Sequence, residues 1–88
     1  METRYYELCS DGHTIEVGYG TMRNIRQRGH ELAVREPKKT VDVRCAIDKE
    51  SKLEFIGRWR PDGLFINSFG EAERLSADGQ SMERVNRQ

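Results

Sequence analysis

The chain has 88 residues and a mass of 10.2 kDa, too little for two independent cores, so it reads as one domain without an inter-domain cleft. Fifteen basic and fifteen acidic side chains cancel, which removes the strongest sequence argument for nucleic-acid binding, an overall basic domain. Leu, Ile, Val and Phe make up only about a fifth of the residues, close to the composition of disordered chains, but the zero net charge favours a folded protein.

In chain order, the first clear signal is Asp11-Gly12, the pair best suited to the two positive φ angles of a tight hairpin turn. Alternating runs on both sides predict strands at about 4–10 and 13–19. A two-residue loop sets Ser10 against His13, Leu8 against Ile15 and Tyr6 against Val17, so these four apolar side chains are expected on one face. Thr21 is a capping residue ahead of Met22 and Ile25, and Gly29 follows, which predicts a short helix or turn over 21–28. His30 to Glu36, with Leu32 and Val34 in phase and Pro37 as terminator, reads as a further strand.

A meander follows. Val41, Val43, Cys45 and Ile47 alternate with polar or small residues, as do Leu53, Phe55, Gly57 and Trp59. Pro61-Asp62-Gly63 suits a three-residue hairpin loop that sets Trp59 against Phe65, Gly57 against Asn67 and Phe55 against Phe69. A loop through Lys49-Glu50-Ser51 then places Cys45 opposite Phe55, Val41 opposite Trp59 and Asp42 opposite Arg58. Ser68 and Glu71 have capping-box spacing before Ala72 to Leu75, which predicts a C-terminal helix. Gly79 should end it, leaving a domain over 1–79 and a frayed tail over 80–88.

The fold expected from these elements is α+β: a curled antiparallel sheet of about five or six short strands with a C-terminal helix, or a small open barrel, curvature being helped by Gly18, Gly20 and Gly57. The expected core is Tyr6, Leu8, Ile15, Val17, Leu32, Val34, Val41, Val43, Cys45, Ile47, Leu53, Phe55, Trp59, Phe65, Phe69 and Leu75.

Candidate chemistry is sparse. Cys9, His13, His30 and Cys45 are the residue types of a zinc site, but the chain has neither C-x-x-C nor a closely spaced histidine pair, so no metal or cofactor is expected. Cys9 with His13 lacks an orienting group, and Glu7 and Glu16 beside it oppose thiolate formation; the same two carboxylates read better as a wet cross-strand pair than as an acid/base couple. No catalytic residue is assigned, and the chain reads as a non-enzyme.

Charge is unevenly spread: residues 1–20 carry four acids and one base, 21–60 eleven bases and six acids, and 61–88 five acids and three bases. Loop-borne cations Arg23, Arg26, Arg28, Lys38, Lys39 and Arg60 could hold phosphates, whereas Arg44 and Arg58 have acidic cross-strand neighbours and Trp59 falls on the apolar face. Ile66, with Ile56 and Leu64 among arginines, lies on an outer face of interface-like composition unless the helix covers it.

These features point to a small non-enzymatic binding module acting on another macromolecule, a protein first, as inhibitor, adaptor or regulator. The candidate binding residues are Arg23, Arg26, Arg28, Lys38, Lys39, Arg60 and Ile66, facing a protein with an acidic surface. The alternative is a nucleic-acid-binding protein using the basic segment 21–60. Homo-oligomerisation through the outer face or an edge strand is a further expectation. A membrane partner is not, because no apolar run nears the ~18 residues of a span; with no signal-peptide pattern in METRYYELCS, the expected location is cytoplasmic.

Overall fold

The computed structural model describes residues 2–85. Seven strands and one helix follow in the order β1 (Arg4–Ser10), β2 (His13–Gly20), α1 (Met22–Val34), β3 (Val41–Ala46), β4 (Glu54–Trp59), β5 (Phe65–Asn67), β6 (Ala72–Leu75) and β7 (Met82–Arg84). They form an α+β fold around one antiparallel sheet of strand order β2-β1-β3-β4-β5-β6-β7. The expected curled sheet or barrel does not form: the sheet is open, with β2 and β7 at its two edges. The helix leaves β2 and returns the chain to β3 on the far side of β1, so it lies across one face and leaves the other bare.

The first hairpin begins as its turn chemistry dictates, with Asp11 at φ 52°, Gly12 at φ 78°, and Ser10 opposite His13. Beyond Cys9 and Thr14 a β-bulge absorbs Ile15, so Leu8 faces Glu16, Glu7 faces Val17 and Tyr6 faces Gly18. The expected apolar quartet is thereby split. Leu8 is buried, whereas Val17 turns to the other face, and both Val17 and the bulged Ile15 are exposed. The reason lies across the sheet. A side chain at position 18 would meet the Tyr6 ring at 3.2–3.4 Å, so the shifted register seats that ring over a glycine and gives Glu16 its polar partners.

Helix α1 replaces both the short helix and the strand expected over 30–36. Thr21 caps it, its hydroxyl accepting from the Asn24 N–H at 3.2 Å. Ile25, Gly29 and Ala33, four residues apart, form the buried stripe. Gly29 does not end the helix because Trp59 lies against it: a Cβ there would sit 2.7 Å from the indole Cδ1. Tertiary packing thus overrides the weak local cost of glycine. The helix ends at Val34, where Arg35 leaves the helical region at ψ 142° and its N–H still donates to the Glu31 carbonyl, two residues ahead of Pro37.

In the meander, Val41 opposite Trp59, Asp42 opposite Arg58, Trp59 opposite Phe65 and Gly57 opposite Asn67 occur as the alternation and the Pro61-Asp62-Gly63 loop require. A second bulge, after Val43, sets Arg44 against Phe55 and Cys45 against Glu54. Phe55 therefore faces away from the core, and Ile47 and Phe69 are also exposed, Phe69 at 87 %. The core is instead Leu8, Ile25, Ala33, Val41, Val43, Cys45, Trp59 and Phe65, flanked by Tyr6, Met22, Leu32, Ile56, Leu75 and Met82.

The expected C-terminal helix is a hairpin. The Asn67 side-chain carbonyl accepts from the Phe69 and Glu71 N–H groups at 2.9 and 3.0 Å, and Gly70 takes φ 86°, a left-handed position that no helix interior accommodates. The chain turns back and β6 pairs with β5. Part of the expected tail is strand as well: Met82–Arg84 pairs with β6, Met82 lying opposite Leu75. The rest of that tail, residues 86–88, lies outside the described residues.

Candidate functional site

The six cations proposed for binding do not share one surface. Arg28 turns towards β2, where its Nε donates to both Glu16 carboxylate oxygens at 2.9 and 3.0 Å and its terminal nitrogen lies 2.8 Å from the nearer one. It also contacts Glu31 on the next helical turn. The Tyr6 hydroxyl donates to the same Glu16 at 2.8 Å. The Arg28 hydrogen bonds hold the Glu16 carboxyl below its ordinary range, against the upward pull of burial.

Arg60 pairs with Asp62 at 2.6 Å on the β4–β5 loop. Arg23 and Arg26 lie beside the β6–β7 hairpin, lining a small hollow with Leu75, Gln80 and Met82. Arg26 Nε is buried without a hydrogen-bond partner among the described residues. Lys38 and Lys39 follow the helix C-terminus, and the Lys39 ammonium reaches the Leu32 carbonyl at 3.5 Å. From Arg23 to the lysines the chain climbs the whole helix, a distance of ~20 Å at 1.5 Å per residue. The structure brings together Arg23 with Arg26, and Lys38 with Lys39, but not the set.

Two hollows have chemistry in their walls. One, of about 630 Å³, lies between the β4–β5 and β6–β7 loops and includes His30, Asp62, Leu64, Arg74 and Ser76. His30 packs edge-on against Trp59 at 4.9 Å between ring centroids, and burial lowers its pKa, which favours the neutral imidazole. The other, of about 460 Å³, has Met22, Cys45 and Ile56 in its lining and Arg4 and Lys52 among its cations. Burial raises the Cys45 thiol pKa, so it resists ionisation and acts as a small apolar group. Cys9 and Cys45 are both free and buried, the first on the face opposite the helix and the second on the helix face. Among the described residues no three or more His, Cys, Asp or Glu groups gather as a metal site, and no helix is long and apolar enough to cross a membrane.

The residues that do converge lie on the bare sheet face. Pairing builds three rows across it: Tyr19, Tyr5 and Ala46; Val17, Glu7, Arg44 and Phe55; and Cys9, Asp42, Arg58, Ile66 and Ala72. Ile66, alone of the proposed binding residues, belongs to this surface. Val17 and Tyr19 are 52 % and 57 % exposed and Phe55 is 42 %, while Tyr5 and Tyr19 pack at 5.4 Å between centroids. Arg58 meets Asp42 there at 2.6 Å, and Glu7 lies opposite Arg44 in the neighbouring row. Val17 and Phe55 were expected in the core. Their true side is set by the two bulges, and the visible clue was Glu16, Gly18 and Gly20, a polar and space-making phase that suits the helix side better than an open face.

No known protein family, curated protein or solved structure matches the chain.

Proposed function

We propose that this is a non-enzymatic protein-binding module, an adaptor, inhibitor or regulator, that engages its partner through the bare sheet face. The observation that carries this reading is the composition of that face: exposed Val17, Tyr19 and Phe55, with Ile66, set among Glu7, Arg44 and the Asp42–Arg58 pair. Aromatic and aliphatic anchors interleaved with arginine and self-neutralised charge are the make-up of protein interfaces. Dispersal of the basic set supports the same reading, since a phosphate track needs several free cations in line, and Arg28 and Arg60 are engaged by carboxylates. His30 makes no side-chain hydrogen bond to an acid or a hydroxyl among the described residues and packs on Trp59 instead, and burial keeps the Cys45 thiol from ionising, which argues against a catalytic role.

The test compares two variants for partner retention from host extract, with and without nuclease. Phe55→Glu with Ile66→Glu should abolish retention of a protein partner while leaving the far-UV spectrum intact. Arg23→Ala with Arg26→Ala should retain it. Retention that is lost on nuclease treatment and in the arginine variant, but kept by the sheet-face variant, would refute the proposal in favour of nucleic-acid binding.

A further inference from the structure

The two edges of the sheet are built differently. β7 is three residues long and carries the charged, exposed Glu83 and Arg84, the usual protection of a monomer against edge-to-edge pairing. β2 is the longest strand, eight residues, and has no Lys, Arg or Pro. Its Glu16 points to the helix side and is held by Arg28 and Tyr6. The bulge perturbs only its beginning: from Glu16 to Gly20 the pairing with β1 is regular, residue by residue. The strand thus offers a straight free edge with apolar Val17 and Tyr19 on one side and no uncompensated charge.

We infer that β2 pairs with β2 of a second copy of this chain, antiparallel about a two-fold axis at Gly18, joining two seven-stranded sheets into one. This axis uses only the regular stretch. It sets Val17 against the partner's Tyr19 and Glu16 against the partner's Gly20, so apolar meets apolar and no like charges oppose. Moving the axis to Glu16 would place two carboxylates face to face. Moving it to Val17 would draw the bulged Ile15 into the ladder. Antiparallel pairing about a perpendicular two-fold keeps the helices on one side and the bare faces on the other. The contact is isologous and closes at two copies, since β2 is consumed and β7 is blocked. Val17 and Tyr19, more than half exposed in the single chain, become cross-strand partners. A strand-to-strand contact is small for a stable interface, so the dimer is of the weak, concentration-dependent kind.

Sedimentation equilibrium of the full chain, from low micromolar to near-millimolar, tests this. The expected result is a rise in mass from 10.2 kDa to twice that value. Val17→Lys and Tyr19→Lys, each on the strand surface and compatible with folding, should each weaken association at least tenfold while leaving the dilute far-UV spectrum unchanged. Register is read independently with Val17→Cys and Tyr19→Cys chains: a short thiol cross-linker should join the mixture faster than either variant alone. The inference falls if the wild type keeps its single-chain mass throughout, if both lysine variants associate as the wild type does, or if mixing gives no gain in cross-linking. It shares Val17 and Tyr19 with the face proposed for the partner, but its readout is self-association of the pure chain whereas the partner test uses Phe55 and Ile66, so the two readings fail separately.

Discussion

Replacing Gly29 by alanine puts two well-characterised effects in opposition. In an exposed helix interior the change stabilises by about 1 kcal/mol, because alanine is the better helix former. Here the new methyl would stand 2.7 Å from Trp59 Cδ1, 2.9 Å from its Nε1 and 3.4 Å from Val43 Cγ2, against ~3.5–4.0 Å for ordinary carbon contacts. Trp59 is fully buried, and His30 and Phe65 each hold its ring at 4.9 Å, so it has nowhere to swing. Overpacking of this kind costs about 1–3 kcal/mol. With a rigid ring as the obstacle the upper part of that range applies, and after the propensity gain the net loss is about 1–2 kcal/mol, or a fall in Tm of roughly 5–15 °C. Thermal and urea melts followed by far-UV circular dichroism measure it. Asn24→Ala, at an exposed site of the same helix, is the control and should raise Tm slightly. In a Trp59→Phe background the Gly29→Ala penalty should shrink, because the two sites are in contact. A Gly29→Ala variant that melts above wild type would refute the packing of Trp59 on the helix and with it the placement of α1.

Trp59→Ala should destabilise by ~3–5 kcal/mol through the cavity it leaves; wild-type melting with lost partner binding would instead make Trp59 an exposed anchor. Because the Glu16 carboxyl is held below its ordinary value, its contribution is complete above the unfolded pKa near ~4.3 and is lost as pH falls through the lower folded value. Urea melts of Glu16→Gln across the acid range should therefore show a shallower loss than wild type, and an identical slope would count against the Arg28–Glu16–Tyr6 cluster. The His30 pKa is lowered by burial, so the folded state disfavours its protonation; stability should be full above the unfolded pKa near ~6.5 and decline as pH drops towards the folded value. His30→Phe should flatten that decline, and an unchanged slope would place its source elsewhere. Cys45, buried with its pKa raised, should react with iodoacetamide only as fast as the domain opens, which peptide mapping against urea concentration will show.

What could be read from the sequence was whatever adjacent residues decide among themselves. Asp11-Gly12 made its tight turn. The Thr21 side chain capped the helix it preceded. Pro61-Asp62-Gly63 placed Trp59 against Phe65. Each of these rests on backbone sterics or a hydrogen bond within a few residues, so the tertiary fold had only to accept it.

Tertiary structure decided the rest, where local preferences are worth less than a buried contact. Gly29 ends a helix when solvent surrounds it, but beneath an indole ring its missing Cβ lets the helix run on to Val34. Ser68 and Glu71 can cap a helix, but the Asn67 carbonyl captured the same stretch of backbone for a turn, and pairing with β5 made the choice permanent. The candidate site depended on the smallest of these decisions. A single extra residue in β2 and another in β4 reverse the side occupied by the side chains on one side of each bulge, sending Val17, Tyr19 and Phe55 out to the bare face and Glu16 in towards Arg28. A bulge has no composition of its own. It forms where strands on either side gain more from the shifted register than from the regular one, and that balance exists only once Tyr6 has a glycine to lie on and Arg28 has reached Glu16 from the helix.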